Sequence, residues 1–270
     1  MNKALQMKMG AGGGQQTLFQ AITAAGLTSN LQLCLDAGDA ASYTSGTKWL
    51  DRSGNGYDFF LGTDGTTDAP TLNGGAGNRG AYWSGVTKYF TYDTTNEVWM
   101  QNLHKDNAAF TCIYIMYAAG TNPAAFGTSD GTVATNIGVS FYVASTSPPK
   151  IYVANGTGGA ALEVNGDTTP AANAYHMVGV SLNEATGAGG GFLYTDGAYN
   201  QVSASDTFNS AYSSPSASSA TYKMNVAALG NGGTPLSANE RLGAIAIWSS
   251  ALTKANLDSI FALQRARYGI

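Results

Sequence analysis

The chain has 270 residues, with 13 Lys and Arg against 17 Asp and Glu, so only 11% of positions are charged, compared with about 25% in a typical soluble domain. A formal net charge of −4 leaves no basic stripe to neutralise phosphates, which argues against nucleic acid as a partner and against an anionic membrane surface. No apolar run approaches the roughly 20 residues that a membrane-spanning helix needs.

The first 28 residues differ from the rest. Residues 1–14 carry Lys3 and Lys8 but no apolar stretch of the secretory type, and they run into Gly10-Ala11-Gly12-Gly13-Gly14, a composition that makes a flexible hinge. Beyond it, Leu18, Ile22 and Leu27 fall on one side of a short helix. Residues 1–28 are therefore expected to be an arm, flexible or anchoring, that docks through Leu18, Phe19 and Ile22. Residues 29–270 would form the domain it carries.

From Leu31 onward, short apolar runs alternate with Gly, Asn, Asp and Pro at strand-like spacing. Cys34 and Cys112 each sit in such a run, 78 positions apart, and are expected to be buried free thiols rather than a disulfide framework. Ile137, Val139, Phe141 and Val143 alternate with Gly138, Ser140 and Tyr142. Pro148-Pro149 turns the chain and Ile151-Tyr152-Val153 returns. His176 to Leu182 and Gly191 to Thr195 read as two strands of one hairpin, with Val178, Val180 and Leu182 on one face. The second strand ends in Asp196-Gly197, a dipeptide suited to the positive φ angles of a tight turn. Residues 210–220 form a Ser- and Ala-rich surface loop. The chain closes with an apolar strand, Ala244 to Trp248, then Thr253 as helix N-cap and a helix through Arg267. Leu257, Ile260, Phe261, Gln264 and Tyr268 fall at three- and four-residue spacing along that helix. The pattern predicts an all-β fold, a two-sheet antiparallel sandwich with a short C-terminal helix.

Three segments together resemble the concanavalin A-like, laminin G-like jelly-roll family. They are Leu33-Cys34-Leu35-Asp36-Ala37-Gly38 with Trp49-Leu50-Asp51-Arg52-Ser53-Gly54-Asn55-Gly56, the hairpin from Tyr175-His176 to Tyr194-Thr195-Asp196-Gly197, and Leu242-Gly243-Ala244-Ile245-Ala246-Ile247-Trp248 with its following helix. The opening segment looks particularly like the version found in tailed-phage virion proteins and in some bacterial surface proteins, and the lack of a secretory stretch favours the phage case. The resemblance implies a pair of curved sheets used for binding and adhesion more often than for catalysis. It also implies a place on the virion surface after assembly in the host cytoplasm, among other virion structural proteins and possible homo-oligomers.

The chemistry legible in the residues is sparse. Glycoside hydrolases of this shape deliver two carboxylates from one strand as Glu-x-Asp-x-x-Glu; here Glu97, Glu163, Glu184 and Glu240 are isolated from one another. His104 and His176 have no His or Cys partner at zinc-ligand spacing, and no Gly-x-Ser-x-Gly elbow is present. No cofactor is expected, calcium being the one candidate, with Asp36, Asp39 and Asp51 as ligands. Relatives hold such an ion with an acidic residue on the last strand, where this chain has Ala244, Ile245 and Ala246. Sugar binding takes exposed rings with amide partners, and Tyr82, Trp83, Tyr89, Tyr92 and Trp99 with Asn96 form the densest such stretch. The expectation is a non-enzymatic virion surface protein, a capsid decoration or tail accessory held by its arm. The alternative is a lectin-like module that binds host surface glycans, and a divergent polysaccharide hydrolase ranks third.

Overall fold

A computed structural model describes residues 15–93, 98–105, 107, 109–119, 123–132, 136–155, 160–186, 190–201, 207–208 and 220–270. The glycine hinge at 10–14, Asn96 and most of the 210–220 loop lie outside the described residues. In chain order the elements are α1 (Leu18–Ala24), β1 (Leu31–Asp36), β2 (Lys48–Trp49), β3 (Phe59–Leu61), β4 (Thr71–Asn73), β5 (Tyr82–Ser84), β6 (Phe90–Tyr92), α2 (Val98–Gln101), β7 (Ala109–Ala118), β8 (Ala124–Gly127), β9 (Ile137–Tyr142), β10 (Lys150–Asn155), β11 (Ala160–Asn165), β12 (Ala174–Asn183), β13 (Gly191–Thr195), β14 (Ala198–Gln201), β15 (Thr207–Phe208), β16 (Asn225–Val226), β17 (Arg241–Trp248) and α3 (Lys254–Tyr268).

The strands make two antiparallel sheets. The first runs β14-β13-β12-β7-β17-β5-β4, with β1 pairing the C-terminal half of β17 while β5 pairs its start. The second runs β15-β11-β10-β9-β8-β16-β6-β3-β2. Alternation decides which side chains meet between them. Phe110, Cys112, Tyr114 and Met116 of β7, Val178, Val180 and Leu182 of β12, and Ile245 and Ile247 of β17 point inward. They pack on Phe126, Val139, Phe141, Ile151 and Val153 of the second sheet.

The first sheet is buried on its other face as well. Ile113, Ile115, Met177, Ala244 and Ala246 point outward and are covered by α1 and α3 through Leu18, Ile22, Leu257 and Ile260. Double burial explains why β7, β12 and β17 read as nearly continuous apolar runs rather than clean alternations. Gly243 marks the bulge in β17 against β7. A Cβ there would come within 2.7 Å of the Tyr268 ring, so the missing side chain is what lets the end of α3 lie on the sheet. The hairpin read around residue 190 is β12 paired with β13. Asp196 (φ 50°) and Gly197 (φ 93°) make the tight turn into β14.

Residues 15–28 are not a free arm. Thr17 caps α1 in a reciprocal box with Gln20, and Leu18 and Ile22 are fully buried. The Leu18 N–H donates to Asp36 Oδ2 at 2.7 Å, and Leu27 O accepts from Trp248 Nε1 at 2.7 Å. Phe19 is half-buried with the Arg52 guanidinium 5.6 Å from its ring. Anchoring to another protein through Leu18 and Ile22 is thereby corrected. The outward side chains of the first sheet are apolar, and burying two aliphatic residues on them contributes about 1.5 to 3 kcal/mol each, which outweighs leaving them free in solvent.

Candidate functional site

The aromatic stretch singled out in the sequence is mostly core. Trp83, Tyr92 and Trp99 are 1%, 1% and 5% exposed, which removes them as sugar-stacking rings. Trp83 sits 5.6 Å from Trp49 and 5.3 Å from Phe90, while Trp99 stacks on Tyr57 at 5.1 Å. β5 turns its central ring, Trp83, and β6 its flanking rings, Phe90 and Tyr92, between the sheets, so a dense aromatic run here builds the interior. Tyr82 and Tyr89 stay half-buried in separate surroundings. The Tyr89 hydroxyl bonds Thr63 Oγ1 at 2.9 Å, and Tyr82 faces Arg241 on the outer side of the first sheet.

The acidic candidates are engaged by protein groups. Asp36 is ion-paired with Arg267, and Asp39 Oδ2 accepts from Arg52 Nε at 3.0 Å. Asp51 accepts the N–H groups of Cys34, Ser53 and Tyr57 and the Ser53 hydroxyl. That arrangement fits the capping of turns, with Asp51 holding the loop through Asn55-Gly56.

A groove that the sequence reading did not single out lies on the outer face of the second sheet. Phe141, Ile151 and Val153 point inward, so alternation sends Tyr142 and Tyr152 outward, from neighbouring β9 and β10. Lys150 is paired directly opposite Tyr142. The two rings stand edge to face with centroids 5.9 Å apart. With Gly131, Ser147, Pro148 and Thr234 they line a groove of about 550 Å³. The Lys150 ammonium lies 5.2 Å over the Tyr152 ring and 3.4 Å from Glu163 Oε1 on β11. Tyr152 and Glu163 raise the Lys150 pKa against the opposing effect of burial. Burial, together with Tyr152 and Asp130, pushes the Tyr142 phenol up, so both groups keep their ordinary charge states at neutral pH.

Gly131 makes the close approach at the groove floor. Its φ is +82°, and a Cβ there would stand 2.4 Å from Tyr142 Oη. Next to it, Asp130 Oδ1 accepts the Thr132 N–H at 2.7 Å and the Asn136 amide. Burial acts to raise this carboxyl, but those hydrogen bonds outweigh it and hold it below its ordinary value. Such a surface offers ring faces, hydroxyls, one ammonium and one ion-paired carboxylate: groups that bind polar, ring-shaped molecules. The signal for it was in the alternation of residues 137–143, whose polar face carries Tyr142.

No protein-family model matches the chain, and no curated protein matches it. Among solved structures it is similar to Trypanosoma rangeli sialidase in complex with sialic acid (10% identity, TM-score 0.54, covering 88% of this chain and 34% of that one). It is also similar to the binding domain of botulinum neurotoxin serotype D (11%, 0.56, 90% and 53%). A third likeness is to botulinum neurotoxin type C, which depends on interaction with two ganglioside molecules to enter cells (12%, 0.53, 89% and 53%). The chain thus spans about a third of the sialidase and about half of the neurotoxin chains. At these identities the likeness shows the fold alone, a two-sheet β-sandwich.

Proposed function

We propose that this β-sandwich is a lectin-like module, of the concanavalin A-like, laminin G-like kind, that binds glycans without cleaving them. The observation that carries the reading is the groove itself: Tyr142 and Tyr152 present half-buried rings from adjacent strands, flanked by Lys150 and the loop at Ser147-Pro148. Pyranose rings dock on such aromatic faces through their C–H groups, while hydroxyls and charged side chains take up the sugar oxygens. The ganglioside dependence of one neurotoxin sharing the fold is consistent with this.

Binding without hydrolysis is supported by the state of the acids beside the groove. Glycosidic cleavage takes a carboxyl raised toward neutrality as general acid. Asp130 is moved the other way, and Glu163 is ion-paired with Lys150. A virion placement, the expectation drawn from the resemblance, loses two of its three anchoring residues, since Leu18 and Ile22 belong to the core while Phe19 is half-buried.

A glycan array probed with the full chain and with Tyr152→Ala tests the reading. Binding to at least one glycan class is expected, lost or weakened about tenfold in the variant, as the removal of a stacking contact worth 1 to 2 kcal/mol would give. Silence across the array, or equal signals from both proteins, would defeat it. Released reducing sugar would turn the assignment to an enzyme.

A further inference from the structure

We propose that a second cleft, on the outer face of the first sheet, holds the carboxylate of an acidic saccharide on the guanidinium of Arg241. It rests on the glycan reading only for the sugar scaffold; the carboxylate is argued from Arg241 itself.

Arg241 begins β17 and stands directly opposite Tyr117 of β7, which in turn stands opposite Tyr175 of β12. On its other side β5 presents Tyr82. The guanidinium lies 4.4 Å from the Tyr117 ring centroid and 4.7 Å from that of Tyr82, so an aromatic ring flanks it on each neighbouring strand. The row continues through Tyr175, 5.4 Å from Tyr117, to Tyr268, 5.1 Å further on. Ring contact orients the plane of an arginine and leaves its N–H groups as the part that can still bond.

Those N–H groups form no ion pair with an acid among the described residues. Among the described residues the ion pairs of the chain involve other cations, and none uses Arg241. Its polar neighbour is the Tyr175 hydroxyl, whose pKa burial pushes up to about 12 although Arg241 works to lower it; that phenol stays neutral. Glu240 is adjacent in sequence, but it is fully buried and its Oε2 accepts the Ser237 N–H at 2.7 Å. A half-buried cation without a counter-charge is a group that a bidentate carboxylate satisfies.

Arg241 opens onto a cleft of about 320 Å³ lined by Tyr82, Ser84, Val86, Ser237, Asn239 and the buried Glu240, whose carboxylate is held by the Ser237 N–H. Val86, 58% exposed, and the Tyr82 ring offer apolar surface to the C–H face of a sugar. Ser84, Ser237 and Asn239 supply hydroxyl and amide groups at the rim for its oxygens. A carboxylate on the ring and hydroxyls around it, as in a hexuronic acid, match this set. A neutral sugar leaves the guanidinium without a counter-charge, and a simple anion leaves the rim and ring surface unused.

Isothermal titration calorimetry on the full chain distinguishes these ligands, with trigalacturonate and a hyaluronan tetrasaccharide each compared with its neutral methyl ester. At least one acid should bind about tenfold or more tightly than its ester, the scale of a hydrogen bond to a charged group. Arg241→Gln should abolish that preference, and Arg241→Lys should lose most of it for want of the planar fork. Equal affinity for acid and ester, or a preference that survives Arg241→Gln, overturns the proposal. Should Arg241→Gln fail to fold, Ser84→Trp, which fills the cleft from its rim, must block the acid. A poly-glutamate peptide that binds through Arg241 while both saccharides fail overturns the sugar assignment. Array signals equal for the full chain and Tyr152→Ala, with the acid preference kept, would defeat the groove reading and leave this one standing, and array binding lost in Tyr152→Ala with equal affinity for acid and ester would do the opposite.

Discussion

Asp36 and Arg267, at opposite ends of the chain, form an ion pair in which neither side chain is exposed. Arg267 Nη2 donates to Asp36 Oδ1 at 2.5 Å and Nη1 to Oδ2 at 2.7 Å. The same carboxylate accepts the N–H of Leu18 at 2.7 Å and of Gly38 at 2.8 Å, and Arg267 Nε donates to Arg79 O. One charge pair therefore ties α1, β1, the loop at Arg79 and α3 together.

Breaking that pair on one side should be costly. Arg267→Met strands the Asp36 charge in the interior, and unfolding in urea should show a loss of about 3–5 kcal/mol. The double variant Asp36→Leu with Arg267→Met should recover a good part of it, because no buried charge then remains. A double variant no more stable than the single one would show that the lost stability lies in packing around α3 rather than in the stranded carboxylate.

The helix at the start of the described chain should behave as core. Leu18→Ala or Ile22→Ala removes a fully buried side chain beneath α3 and should cost about 2–5 kcal/mol each. Deleting residues 1–28 removes both together with the Leu18 hydrogen bond, so the truncated chain should melt far below the full one. An unchanged melting temperature would restore the idea of a dispensable arm.

The architecture was largely legible in the sequence, and the site was not. Period-two alternation at 137–143 and 176–182, the Asp196-Gly197 turn and the Thr253 cap all correspond to real elements, because each is a local pattern with a local physical cause. Arg267 escaped notice because a charge at the end of an amphipathic helix reads as solvent-facing. Only the tertiary pairing with Asp36 shows otherwise. The dense rings at 82–99 drew attention from Tyr142 and Tyr152, since abundance of aromatics marks a core as readily as a surface, and the facing partner of each ring belongs to another strand.

The two cysteines should be silent until the protein opens. Cys34 and Cys112 are free and fully buried, and burial pushes both thiols well above their ordinary pKa, with Asp36 and Asp51 adding to the effect at Cys34. A thiol-specific reagent such as Ellman's should label neither at pH 8 in the native state and both in guanidinium. Rapid native labelling would place at least one of them at a surface.

His176 should give stability a pH dependence. Its Nδ1 lies 2.5 Å from Asp196 Oδ2 and its Nε2 2.7 Å from Ala171 O. Both partners accept, and a neutral imidazole can donate only once. Burial disfavours the charged ring, but Asp196 and the carbonyl outweigh it and raise the pKa above 6.5. A raised folded value means stabilisation that is fully present below the unfolded pKa and lost as pH climbs through the folded one. Urea unfolding between pH 5.5 and 8.5 should therefore fall more steeply for the natural protein than for His176→Gln; parallel curves would show that the pair does not titrate as stated.

The groove depends on a glycine, and replacing it should separate binding from folding. Gly131 sits at φ +82°, and a methyl group there would stand 2.4 Å from Tyr142 Oη. Gly131→Ala must therefore both strain the backbone, at about 1 kcal/mol or somewhat more, and push the Tyr142 ring away from Tyr152. Because Gly131 lies at the surface of the second sheet, the core between the sheets should be untouched and the melting temperature should drop by a few degrees only. Glycan affinity should fall by about tenfold or more if the paired rings form the docking surface. Full affinity with a displaced melting point would show that Tyr142 takes no part in binding and would move the site along β10 toward Tyr152 and Lys150.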